Sequence, residues 1–254
     1  MIKQIYICLM FVGILYQYGF AQEGLQISIN GQGGFGYIAA QNHYGNDHFR
    51  LKYKNKFSYG ANFNVGYGFN SQVSLLLTGG YQKFEQGYRG EFDPGLGSGH
   101  QSHQKDISLD LLNIGLLTKF VLTMQDAYVY DSKMSFFTTV GFTINKLLKA
   151  QLEYQVNNAD VAYPAKLPPY TDPNYKYSPV SNAKDLYNNI GLSFVANVGF
   201  DFFVSEKLAL SPSVQGQISV IDINKKEYRQ HEGYRASRVL LAGLNVGLTY
   251  YLSR

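Results

Sequence analysis

The sequence predicts an all-β protein: an eight-stranded antiparallel up-and-down transmembrane β-barrel, with no transmembrane helix in the mature chain. Three observations carry that expectation. Eight segments of the 254-residue chain alternate apolar and polar residues with period two. Their polar positions hold mainly Gly, Ser, Asn, Gln and Thr, whereas a soluble sandwich or lipocalin-type barrel turns many Lys and Glu to water. The connections between segments alternate between short turns and long loops, the pattern of a barrel with one rim of each.

Composition agrees. Charged residues make up 16% of the chain, against about 25% in ordinary soluble domains. The aromatic share is 22 Tyr and 17 Phe with no Trp, and 26 glycines are spread along the chain. That apolar and aromatic content excludes a disordered chain. A net charge of +4 is too small to make nucleic acid the partner.

The N-terminus reads as an export signal over residues 1–21. Lys3 precedes an apolar run from Ile5 to Leu15, and Gly19-Phe20-Ala21 sets up cleavage before Gln22. Eleven apolar residues are too few for a membrane-crossing helix. Cys8, the single cysteine, lies inside this segment, so the mature barrel domain, 22–254, is expected to lack disulfides and thiol chemistry.

The first strand alternates through Leu25, Ile27, Ile29, Phe35 and Tyr37, with Gln26, Ser28, Asn30 and Gln32 opposite. The second runs unbroken from Phe49 to Phe69, its odd positions almost all apolar. The third follows Val73, Leu75, Leu77 and Tyr81, and the fourth Leu112, Ile114, Leu116 and Phe120. The fifth uses Phe136, Val140, Phe142 and Ile144 and keeps its alternation to Leu152, Tyr154 and Val156. The sixth spans Ile190 to Phe202 and the eighth Leu240 to Leu252. The seventh, Leu208 to Val220, contains Pro212, which removes a ladder hydrogen bond and predicts a bulge. A helix would smear each of these patterns around its circumference.

Connections 39–48, 84–106, 157–187 and 224–237 are long, while 70–72, 123–134 and 204–207 are shorter. An even strand count lets the first strand pair with the last, so no edge is left open in lipid. The large apolar face is therefore expected outward and the small polar face inward. Asp110, Lys119 and Asp201 are expected inside, as a lumen charge cluster that plugs the barrel, because eight strands leave room only for side chains. Outward charges are expected near strand ends, at Lys83, Lys146, Asp222 and Arg238.

The segment Leu112-Asn113-Ile114-Gly115-Leu116-Leu117-Thr118-Lys119-Phe120, with Val140-Gly141-Phe142, Ile190-Gly191-Leu192 and Val198-Gly199-Phe200, resembles the PorT-like group of small outer-membrane β-barrel domains over most of 22–254. Gly115 stands where that family often has Pro. The last strand, Asn245 to Leu252, is similar to the C-terminal signal read by the outer-membrane assembly machinery, although Ser253 and Arg254 follow it. The resemblance implies an integral protein of a Gram-negative outer membrane with periplasmic termini, in contact with outer-membrane lipid and lipopolysaccharide. It implies no shared activity.

Candidate sites are few, and no cofactor is expected. All five histidines fall in predicted loops, which argues against a rigid Ser–His–acid set, and His100-x-x-His103 lacks the further ligands zinc requires. Gly95 to Gly99 neither follows a strand nor opens a helix and lacks a P-loop lysine. The ladder Arg50, Lys52, Lys54, Lys56 is expected on the inner face of the second strand, where with Lys225 and Lys226 it would make a basic, anion-binding mouth; local pairing with loop acids is the plainer account. Tyr163, Tyr170, Tyr175 and Tyr177, interleaved with prolines, suit a protein or glycan partner, or else a lid over the mouth. The expected role is non-catalytic, in surface interaction, the envelope or secretion assembly. A lipid-modifying enzyme and a narrow passive channel are the alternatives.

Overall fold

The structure is a computed structural model, and it describes residues 24–39, 51–92, 101–122, 134–157, 159–160, 183–226 and 236–252. Residues 1–21, read above as an export signal, Arg50, Tyr163, Tyr170, Tyr175 and Tyr177, the Gly95 to Gly99 run, and histidines 43, 48, 100 and 231 lie outside the described residues.

Ten strands form one sheet: β1 (Gly24–Ile38), β2 (Lys52–Asn55), β3 (Phe57–Gly68), β4 (Val73–Phe92), β5 (Gln101–Leu122), β6 (Met134–Val156), β7 (Ala159–Asp160), β8 (Ile190–Phe203), β9 (Leu208–Ser219) and β10 (Val239–Tyr251). Eight of them close a ring in which every pairing is antiparallel. β1 pairs with β3 on one side and β10 on the other, and β4, β5, β6, β8 and β9 complete the circuit in order. β2 prolongs the line of β3 against β4, and β7 adds to β6. The chain is an eight-stranded up-and-down barrel. A 3-10 turn, η1 (Ala183–Leu186), packs beside β6.

One rim carries tight turns. Between β3 and β4 the Asn70 carboxamide oxygen accepts the backbone N–H groups of Gln72 and Val73 at 2.9 and 2.8 Å, which closes the turn. The start of β1 and the end of β10 lie at this same end, joined by the Leu252 N–H to the Leu25 carbonyl, 2.9 Å.

The faces fall as the composition requires. Gln26, Ser28, Asn30 and Gln32 of β1 are buried, while Ile29 between them and Phe35 beyond are 62% and 59% exposed. The same division runs around the ring: Ser211, Ser213, Gln215 and Gln217 point inward on β9, and Leu244, Val246, Leu248 and Tyr250 outward on β10.

The strands are unequal, and here the sequence expectation needs correction. β4, β5 and β6 have 20, 22 and 23 residues, against 12–15 for β1, β3, β8, β9 and β10. The stretch 84–106, expected as loop, is mostly strand. Glu85, Arg89 and Asp106 fit a loop because a lipid-facing strand excludes charge, but this part of the sheet stands beyond the apolar belt.

Two one-residue bulges reverse the faces. In β6, Asp110 opposes Lys149 but Leu111 opposes Leu147, so Leu148 is extra, and Leu148 and Lys149 both face outward. Beyond it Ala150 and Tyr154 are buried, so the late alternation of this strand points into the barrel, opposite to expectation. Between β2 and β3, pairing with β4 slips by one residue around Lys56, which interrupts the strand expected to be continuous and leaves Leu51 buried. Pro212, in contrast, makes no bulge. Its strand keeps one register with both neighbours, and only the pairing of β8 with β9 lapses beside it, between Gly199↔Ser213 and Phe202↔Leu210.

Candidate functional site

The outer face of the barrel decides its surroundings. On β4 from Val73 to Lys83, on β5 from Phe120 to Asp110, and on β6 from Phe136 to Lys146, the outward residues are uncharged over ten residues and then a charge appears. At roughly 3.3 Å per residue and a tilt of about 40°, ten residues span about 25 Å, the height of the apolar band on membrane barrels. Ile114 at 56%, Phe142 at 53% and Leu244 at 66% exposure belong to this belt. Such a continuous apolar surface would be untenable in water. The chain folds as a transmembrane β-barrel. No helix among the described residues is long and apolar enough to cross a membrane, which is irrelevant to a chain that crosses with strands.

The lumen has three tiers. At the turn end Lys119 Nζ meets Asp201 Oδ2 at 2.5 Å, Ser211 donates its hydroxyl to Asp201 Oδ1 at 2.6 Å, and the Lys119 ammonium lies 4.4 Å from the Phe137 ring centroid. The middle tier is amide-rich. Asn62 donates to Gln32 and Asn145 to Ser193, and a cavity of about 40 Å3 remains between the side chains, room for more than one ordered water, since each needs about 10–15 Å3 of such space. At the loop end the interior turns apolar: Phe84, Tyr88, Ile107, Leu109, Leu147, Tyr187 and Leu241 pack together, and the Tyr88 hydroxyl donates to the Ile38 carbonyl, 3.0 Å. Gly36 makes room for this plug, because a Cβ there would lie 2.5 Å from the Phe84 ring.

Asp110 does not join the lumen cluster. It shares its parity on β5 with outward Leu112 and Ile114, and it stands cross-strand from Lys83 and Lys149 on the outer surface. Lys119 and Asp201 do meet, as expected.

Above the belt, β2, β4, β5 and β6 rise as a wall whose outer face is polar and charged. Lys52 opposes Arg89, Arg89 opposes Gln104, and Gln104 opposes Gln155, so one row crosses four strands. A cleft of about 690 Å3 is lined by Lys52, Lys54, Arg89, Glu91, Gln104 and Gln155 together with Tyr53 and His103. Lys52 and Lys54 are exposed on the outside of the wall, while Leu51 and Tyr53 pack inward against the apolar plug, so the expected inner-face ladder is corrected. The slip around Lys56 causes this reversal. Lys56 itself is held outside by Asp106, 3.1 Å away. Lys225 is 3.9 Å from Asp185 of η1 and Lys226 is exposed; neither lines the cleft, so the single basic mouth does not assemble.

His103 is buried and shares a 2.6 Å hydrogen bond between Nδ1 and the Tyr154 hydroxyl. Burial holds its imidazole below the ordinary histidine value. Ser102 lies on the opposite, exposed face of β5. No cluster of three metal-ligating side chains occurs among the described residues. Arg89, Gln104 and Gln155 were missed from the sequence. The alternation of Phe84, Gln86 and Tyr88 with Lys83, Glu85 and Arg89 was the signal that could have shown a strand there.

No family model matches the chain, and no curated protein is similar to it. Among solved structures it is similar to Neisserial surface protein A, at 9% identity over 91% of this chain and 98% of that one, with a TM-score of 0.46. It is also similar to Ail, the attachment invasion locus protein of Yersinia pestis, at 11% identity over 90% and 99% with a TM-score of 0.36. The outer membrane protein OprG of Pseudomonas aeruginosa matches at 12% identity over 90% and 96% with a TM-score of 0.35. The barrel architecture rests on this chain's own strand pairing and faces.

Proposed function

We propose that this chain is an integral outer-membrane barrel of a Gram-negative bacterium with a non-catalytic role, its turn end and both termini toward the periplasm and its wall and long loops at the cell surface. There it contacts a protein or glycan partner, in surface interaction, the envelope or secretion assembly. One observation carries the reading: a lumen packed with side chains in all three tiers supports a wall of β2, β4, β5 and β6 that rises about 20 Å beyond the belt, by the same rise and tilt. Nine residues of β4 and of β5 extend past the Lys83–Asp110 pair. A conduit has no use for such a wall; a recognition surface does. The strand motifs similar to the PorT-like group support the same location.

Three measurements test it. Unboiled protein should migrate apart from boiled protein on a detergent gel, as closed barrels do. Planar bilayers containing the barrel should stay silent, and steady single-channel current would favour the passive channel instead. Protease added to intact cells should cut within 93–100 or 161–182. Protection of both segments in a correctly folded barrel would reverse the proposed orientation.

A further inference from the structure

We infer that the outer surface around the β6 bulge binds a phosphorylated glycolipid of the outer leaflet, of the lipopolysaccharide kind. The inference rests on the membrane reading above and assigns a lipid site that is separate from the wall's cleft.

Three lysines gather around one outward leucine. Lys146 is the first charge above the belt on β6, and the bulge then turns Leu148 and Lys149 outward in succession. From η1, Lys184 donates its ammonium to the Leu148 carbonyl at 3.3 Å, which fixes the 3-10 turn against this spot. Among the described residues neither Lys146 nor Lys149 forms an ion pair. The acids that face them are Asp110, cross-strand from Lys149, and Asp185 beside Lys184. Asp110 is flanked by Lys83, which is itself paired with Glu85 at 2.8 Å, and Asp185 faces Lys225. Lys83, Lys146, Lys149, Lys184 and Lys225 thus outnumber Glu85, Asp110 and Asp185, and positive charge is in excess.

What lies below the lysines defines the ligand. Leu112 at 38% and Ile190 at 64% exposure stand beside Lys146 on β5 and β8, and Ile144 at 57% and Ile114 at 56% continue the apolar surface one outward step below. Cations directly above such a surface match an amphiphile with anionic groups at the headgroup level and acyl chains beneath. A free phosphate or a soluble polyanion would not use the apolar part. The bulge supplies a second, independent reason. A regular β6 would turn Lys149 inward, whereas one inserted residue brings an apolar group and a cation to the same outward spot at the boundary.

The test uses the mature barrel in detergent and native mass spectrometry. The probes are rough-type lipopolysaccharide, the same glycolipid stripped of its lipid phosphates, and phosphatidylglycerol. The wild-type barrel should retain the phosphorylated glycolipid and hold the other two far more weakly. A K146Q/K149Q variant should lose about 30-fold in affinity, from roughly fivefold per lysine at an anionic surface. K207Q, in the exposed turn between β8 and β9 at the other end of the barrel, should bind as wild type. Equal retention of the stripped glycolipid or of phosphatidylglycerol would overturn the inference, as would undiminished binding by K146Q/K149Q. The wild-type comparison decides the matter even if the variant fails to fold. A barrel that shifts on boiling yet ignores the phosphates overturns this site alone, whereas a protein soluble without detergent would overturn the membrane reading.

Discussion

The Lys119 ammonium and the Asp201 carboxylate stand 2.5 Å apart at the turn end of the lumen, with Asp201 fully buried. The pair joins β5 to β8, strands that are not neighbours in the ring, so it ties the barrel across its interior. Ser211, and Tyr251 at 3.4 Å, complete the carboxylate's hydrogen bonds. Replacing Lys119 with Met leaves a buried charge whose remaining donors are neutral, a loss of about 3–5 kcal/mol. K119M should therefore lower the temperature at which unboiled barrel converts to the slow gel form, and K119M/D201N should recover much of the loss. An unchanged temperature in K119M would mean that the pair is not structural.

Gly36 and Phe84 set the loop-end plug. A side chain at position 36 meets the Phe84 ring and the Ser58 hydroxyl, and this close approach requires glycine. G36V should cost about 1–3 kcal/mol by overpacking. The disturbance should show as faster hydrogen exchange in β4 above Lys83, with the belt residues unaffected.

Deletion of Leu148 should remove the bulge without turning the upper part of β6 over. With the extra residue gone, Leu147 stays inward, Lys149 follows it outward, and Ala150 and Tyr154 keep their inward places in a register with β5 that is now continuous. The belt lies on the other side of the bulge. The deletion variant should keep both its heat-dependent gel shift and the protease resistance of its 149–157 region, and cleavage there would mean that the bulge itself holds the upper strand.

The belt itself is testable by charge. Ile114 is outward and near mid-belt. I114K should destabilise refolding into lipid vesicles by about 2–4 kcal/mol, the range for a lysine at the bilayer midplane. Denaturant titration of the vesicle-bound barrel measures this, and a neutral effect would place Ile114 outside hydrocarbon.

His103 gives a pH dependence with a definite sign. Its folded value lies below the ordinary 6.5 because burial disfavours the imidazolium. The unfolded chain therefore takes up the proton first. The stabilisation is complete above about pH 6.5 and is lost as pH falls below it toward the folded value. Hydrogen exchange at the His103–Tyr154 end of the wall should quicken on acidification through that window, and H103Q should flatten the response.

The closed eight-stranded ring and its outward apolar face were legible in the sequence, because period-two alternation in the belt is strict and lipid tolerates no ambiguity about which side is polar. The Lys119–Asp201 pair followed from the same parity. Asp110 was misplaced although its parity with Leu112 already put it outside. The wall was less legible because beyond the belt the outer face meets water, so Lys83, Glu85 and Arg89 occupy positions that a lipid-facing strand forbids. Its inner face reverses at bulges that alternation cannot announce: past Lys146, Leu152 and Tyr154 resume the even-numbered apolar series, yet point the other way. Arg89 lay in a stretch read as loop, so its alignment with Lys52 depended on a pairing the sequence did not show.

The two face reversals have a consequence for how such a protein can change. Each uses a single inserted residue to hand a continuous strand from one solvent to another, so the aqueous superstructure and the hydrocarbon-embedded cylinder have separate sequence rules that meet at two points. Selection, or an engineer, can rewrite the upper storey or transplant it to another cylinder while the lower one keeps its own code.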